Sequence, residues 1–107
     1  MYNVQMEKFT ILTAEEIKNQ LNDMSHWQEL NGELHTQYTF ANFQTAIAVM
    51  TLVGFVAEKL QHHPTMVNTY NKVSFTMNTH DAGNKITSLD FEMVKEIDAI
   101  ARRLGDT

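Results

Sequence analysis

His62 and His63 stand side by side before Pro64, the single proline of the chain, and His80 follows in the same stretch. Imidazole is the one side chain whose unperturbed pKa lies near working pH. Three such rings between Glu58 and His80 therefore point first to proton transfer. Glu58 precedes His62 by four positions. On one helix that spacing brings the two side chains together. A carboxylate beside an imidazole stabilises its protonated form and selects its tautomer, so Glu58 is expected beside His62.

Three readings fit these residues. In the first, the histidines cap a helix and pack around Pro64 with no chemical role. In the second, the imidazoles ligate a metal. Adjacent histidines seldom converge on one ion, however, and neither an HxxxH nor an HxH spacing occurs in the chain. In the third, they act as general acid and base on a small polar substrate.

The elements that must position these rings can be read from periodicity. Thr13-Ala14-Glu15-Glu16 has the form of a capping box and opens a helix carrying Ile17 and Leu21, ending near Asn22 or Asp23. Asn31-Gly32 is a type I′ hairpin signal between a short strand and a return strand over 33–40. In that return strand Leu34, Thr36, Tyr38 and Phe40 share one face. His26 and His35 lie in this hairpin and read as surface or structural residues. From 41 to 61 the period changes, and Phe43, Ile47, Met50, Val53 or Gly54, Ala57 and Leu60 form an apolar stripe. Pro64 must stop this helix, which places His62 and His63 on its last exposed turn. A second hairpin follows, 65–70 and 73–80, with Asn71-Lys72 at the turn. Val73, Phe75 and Met77 face the core, and His80 has the opposite parity. Gly83 and Asn84 are the flexible points of a loop before a last helix opened by Thr87. Asp90, three residues on, reads first as the other half of its cap. The order αββαββα predicts an α+β fold, a four-stranded antiparallel sheet with three helices on one face.

Composition narrows the class. The 107 residues fit one domain over 1–107, and 43% hydrophobic content allows a modest core that oligomerisation would extend. A net charge of −5 without a basic run gives no support to direct nucleic-acid binding. The absence of cysteine removes disulfides and thiolate metal sites. Residues 1–12 carry no pattern and are expected to fray. No leader sequence is apparent and no apolar stretch approaches membrane-spanning length, so a soluble cytoplasmic protein is expected.

The spacing also matches a family. An acid, three residues, His-His-Pro, five residues, an aromatic, nine residues, a histidine and a later Asp is the pattern of the pterin-4a-carbinolamine dehydratases, or dimerization-cofactor family. Glu58, His62-His63-Pro64, Tyr70, His80 and Asp90 occupy those positions. Trp27, Phe40 and Phe43, Ala57-Glu58-Lys59-Leu60, Tyr70-Asn71-Lys72-Val73 and Thr79-His80 agree as well, so the chain resembles the family over roughly residues 25–104. It departs in Ala82–Thr87, one residue longer than the usual turn after the third histidine.

The resemblance implies a reaction. Aromatic amino-acid hydroxylases leave their tetrahydropterin as a 4a-hydroxy adduct, and the dehydratase removes water to give quinonoid dihydropterin. The pterin is then substrate, no further cofactor or metal is required, and a hydroxylase partner in the same pathway is implied. His62 and His80 take the acid–base roles, His63 holds the substrate, and Glu58 orients His62. Tyr70 and Asp90 join His63 in binding the substrate. A homodimer or homotetramer is implied too. Relatives that stabilise a partner's dimer supply the alternative, a non-catalytic interaction protein.

Overall fold

The computed structural model describes residues 9–105. α1 (Ala14–Leu21) begins at the expected capping box: Glu16 N–H donates to Thr13 Oγ1 at 3.1 Å and Thr13 N–H to Glu16 Oε1 at 2.8 Å. β1 (Gln28–Leu30) and β2 (Glu33–Thr39) meet at Asn31-Gly32, both left-handed with φ of 54° and 80°, as a type I′ turn demands. α2 (Phe43–Leu60) leads to β3 (Thr65–Thr69) and β4 (Lys72–Met77), which turn at Tyr70-Asn71 rather than Asn71-Lys72. A 3₁₀ turn (His80–Ala82) and α3 (Ser88–Arg103) complete the chain. The fold is the expected α+β one: the sheet is fully antiparallel in the order β1-β2-β4-β3.

Leu34, Thr36 and Tyr38 of β2 and Val73, Phe75 and Met77 of β4 are all buried on the helix-covered face. They meet Ile17 of α1, Val49 and Val53 of α2 and Phe91, Val94 and Ile97 of α3 in one core. Trp27 is buried as packing. Its indole N–H donates to Asp98 Oδ1 at 3.0 Å, which also accepts from His26 Nε2 and the Tyr38 hydroxyl. This carboxylate ties the first hairpin to α3. His35 bonds Thr76 across β2 and β4. Both histidines are structural here, as expected.

α2 differs from the expected phase. Its buried side chains are Ala46, Val49, Val53 and Ala57, while Phe43 and Ile47, taken for core, are exposed together with Leu52 and Phe55. The helix is apolar nearly all round, so periodicity does not say which face turns inward. At 18 residues and a mean hydropathy of 1.4 it is also long and apolar enough to cross a membrane, contrary to the sequence reading. Here its inner face instead packs on α3 and β4.

Residues 10–12 are not frayed. Ile11 bridges Thr87, Thr10 exchanges hydrogen bonds with Ser88, and Leu12 N–H donates to Ile86 O at 3.2 Å. The rest of that expectation, residues 1–8, lies outside the described residues.

Candidate active site

The chain leaves α2 earlier than Pro64 requires. Gln61 turns left-handed at φ 52° and caps the helix, with its N–H on Ala57 and Glu58 carbonyls. His62 and His63 therefore lie in the non-helical segment that runs into β3, not on a last helical turn. Extended geometry is what a residue before proline prefers, and it sends neighbouring side chains apart. His62 turns inward and is 7% exposed, whereas the His63 side chain is 61% exposed.

This changes the partners. Glu58 does not reach His62, because the four-residue helical spacing fails once the helix has ended. Its Oε1 instead accepts from His63 Nε2 at 3.0 Å. His62 Nε2 meets Asp90 Oδ1 at 2.5 Å. Asp90 is fully buried. Its Oδ2 accepts from the Thr87 N–H and the Thr79 hydroxyl, each at 2.8 Å, and Thr79 is further bonded to Thr87 Oγ1 at 2.7 Å. Asp90 thus completes the capping box that Thr87 opens at α3 and, through its other oxygen, meets His62. Asp90 was expected to bind the substrate, but it is fully buried and does not line the cleft. Since a carboxylate only accepts, His62 Nε2 carries the hydrogen and Nδ1 is the unprotonated nitrogen of the neutral ring.

β4 ends at Met77, but its alternation persists: Thr79 is buried and His80 exposed. The longer loop has a local use. Gly83 and Asn84 are both left-handed, and the loop folds back so that Asn84 Oδ1 lies 3.4 Å from His80 Nδ1.

A cleft of about 610 Å³ gathers these pieces. Phe9, Gln61, His62, His63, Asn78 and His80 line it, with Thr79, Asp81 and Leu89. The three imidazoles of the sequence motif converge as expected. The volume lies within the usual range for small-molecule sites. Glu58 stands at the rim through His63. Tyr70 does not join them: it is exposed at the far end of the β3–β4 hairpin. The five residues of β3 lie between it and Pro64, six steps or roughly 20 Å at strand rise. The substrate-binding role expected of it has no support from this cleft, which it does not line. Six lining residues, Phe9, Gln61, Asn78, Thr79, Asp81 and Leu89, were not assigned to the site from sequence. Thr79 could have been found from its core parity beside His80, but Phe9 lies in a segment without periodic signal. Among the described residues, no group of three or more His, Asp or Glu is arranged to hold a metal ion.

The hydrogen bond from His63, then that from Gln61 and the nearby imidazole charge, hold the Glu58 carboxyl below its ordinary value, against a small opposing effect of burial. A carboxyl with a depressed folded-state pKa adds stability above its ordinary titration range, and this is lost as pH falls through the folded value. Being exposed, Glu58 contributes little to stability. The expected signature is local. Carboxyl NMR titration of the His63→Ala variant moves the Glu58 midpoint up toward an ordinary glutamate, and an unchanged midpoint contradicts the pairing.

Comparison with known proteins agrees with the fold and with the motif. The family model described as pterin 4 alpha carbinolamine dehydratase matches residues 10–100. A protein of Solibacter usitatus, named provisionally as a pterin-4-alpha-carbinolamine dehydratase, is 41% identical over 92 residues, covering 86% of this chain and 96% of its own. A Bradyrhizobium protein of the same provisional name is 42% identical over 96 residues, covering 88% and 95%. The crystal structure of a transcriptional coactivator/pterin dehydratase from Brucella melitensis superposes with a TM-score of 0.81 at 35% identity, covering 86% of this chain and 99% of that one. A pterin dehydratase-like RuBisCO assembly factor of the alpha-carboxysome shares the fold, with a TM-score of 0.62 at 17% identity and coverage of 73% and 92%. With the three-helix, four-strand fold and the His-His-Pro cleft in place, the chain belongs to the pterin 4 alpha carbinolamine dehydratase family.

Proposed function

We propose that this chain dehydrates 4a-hydroxytetrahydropterin to quinonoid dihydropterin and water by histidine acid–base catalysis, with the pterin as substrate and no resident metal or cofactor. The observation that carries this reading is the convergence of His62, His63 and His80 on one cleft, with His62 held by buried Asp90.

The elimination needs one proton delivered and one removed. The C4a–O bond breaks as the hydroxyl takes a proton and leaves as water. The N5–H proton goes to a base, and its electron pair forms the C4a=N5 bond. His62 and His80 take these two roles. The Asp90 contact leaves His62 Nδ1 as the proton-accepting nitrogen of the neutral ring and fixes the ring plane. His80 exchanges protons from the other wall. The Glu58–His63 pair holds the substrate at the rim. The test is the lifetime of freshly generated 4a-hydroxypterin with and without the protein. Lifetimes equal to the uncatalysed one, at every protein concentration, remove the reading.

A homodimer or homotetramer belongs to this proposal, as does supply of the substrate by an aromatic amino-acid hydroxylase in the cytoplasm. No direct contact with nucleic acid or membrane is part of it. Phe43, Ile47, Leu52 and Phe55 leave an apolar face on α2, and the outer edge of β3 pairs with no strand among the described residues. Such surfaces suit contact with another chain. Light scattering at micromolar concentration is expected to give a dimer or tetramer mass. Phe55→Glu, at a position 70% exposed in the protomer, is expected to lower it. A monomer mass for the native chain contradicts the assembly. The same α2 face favours, as second reading, an interaction protein that stabilises a partner's dimer.

A further inference from the structure

We infer that Phe9 is a substrate-binding residue of this cleft, and that its ring stacks on the flat bicyclic face of the pterin. The inference rests on the dehydratase reading and adds to it a residue outside the histidine motif.

Most residues of the cleft wall are polar, with the imidazoles joined by Gln61, Asn78, Thr79 and Asp81. Among the described lining residues only Phe9 and Leu89 are apolar, and Leu89 is already buried in α3's first turn. A flat heteroaromatic ring gains its hydrogen bonds from the polar groups, but its faces need a surface of their own kind. Phe9 is half-buried and is the one carbocyclic ring among the described lining residues.

Its backbone is anchored to the catalytic network. Thr10 N–H donates to Ser88 Oγ and Ser88 N–H to Thr10 O, each at 2.9 Å, while Ile11 bridges Thr87. Thr87 is the residue whose N–H and hydroxyl bind Asp90 and Thr79. Phe9 is therefore registered on the same short segment that orients His62. A ring held this way loses little entropy when a ligand arrives.

The test measures binding separately from turnover. Dissociation constants for 7,8-dihydropterin, which lacks a side chain on the ring, and for 7,8-dihydrobiopterin, which has one, are taken by fluorescence quenching. The series is wild type, Phe9→Tyr, Phe9→Leu and Phe9→Ala. Alanine is expected to weaken both ligands alike, by roughly 5- to 150-fold, the span that base–aromatic stacking gives. Tyrosine should match wild type. Leucine, which keeps apolar bulk without the ring, should fall between alanine and phenylalanine. kcat should change less than KM, since stacking acts on ground and transition states alike. Leucine binding as tightly as phenylalanine overturns the stacking, as does an alanine variant that weakens only the substituted ligand. Wild type that binds and turns over pterin with no response at position 9 overturns this inference alone. Wild type that neither binds a dihydropterin nor shortens the substrate's lifetime overturns the dehydratase reading and this inference with it.

Discussion

Alanine at His62 or at His80 lowers the rate of 4a-hydroxypterin dehydration by about 10²–10⁴-fold, the usual contribution of one positioned acid or base. The two losses have different companions. His80 is exposed and its side-chain hydrogen bond, to Asn84, is long, so His80→Ala leaves stability nearly unchanged. His62 is buried and bonded to Asp90. Its removal strands a buried carboxylate oxygen and costs roughly 1–3 kcal/mol as well. Rates must then be compared well below the melting temperature of the weaker variant. If both variants retain full activity above the uncatalysed background, the acid–base assignment is wrong.

Substitution of Asp90 has the largest expected effect on stability. Asp90→Ala removes at once half of the α3 capping box, the acceptor of the Thr79 hydroxyl and the partner of His62, all buried. A loss of about 3–5 kcal/mol is expected, comparable to breaking a buried pair by removing one member. This is a large share of the roughly 5–15 kcal/mol that holds a domain together. Asp90→Asn separates the two duties. The amide oxygen can still accept from Thr87 N–H and the Thr79 hydroxyl, so the fold persists. The amide NH₂ then faces His62 and requires Nε2 to accept, which moves the ring hydrogen to Nδ1. The nitrogen needed as base becomes a donor. A rate loss of about 10²–10⁴-fold is expected, since an orienting carboxylate turned amide can cost ~10⁴ through the wrong tautomer alone. ¹⁵N shifts of the His62 ring report the tautomer directly. An Asp90→Asn variant with native rate and native His62 shifts would reduce Asp90 to a helix cap.

The strands were legible because a half-buried strand writes its two faces as alternation. Leu34-Thr36-Tyr38 and Val73-Phe75-Met77 are buried as their parity required. The turn at Asn31-Gly32 and both capping boxes were legible because each is a local chemical solution to a local backbone need. The face of α2 was not. Phe43 and Ile47 are as apolar as Val49 and Val53, and only tertiary packing selects between them. The pairing within the site failed for a related reason. Linking Glu58 to His62 assumed that the helix runs on, and the left-handed Gln61 ends it. The contact that replaces it joins residues far apart in the chain, His62 and Asp90, through the docking of α3, and no periodicity encodes that. Asp90 was legible as half of a capping box, and the family spacing brought it to the site as a substrate-binding residue; neither reading paired it with His62. Tyr70 matched a motif by spacing, yet the hairpin carries it away from the cleft. Phe9 had no motif at all, and its place follows from backbone bonds to 86–88.

The most direct test of the account follows the first-order decay of freshly generated 4a-hydroxypterin against protein concentration. Wild type and the His62→Ala/His80→Ala double variant are compared at neutral pH. The account predicts a decay constant that rises linearly with wild-type protein, and a double variant that stays on the uncatalysed line while still binding dihydropterin. A double variant that accelerates decay as wild type does would contradict it, because the proton transfers would then have another origin.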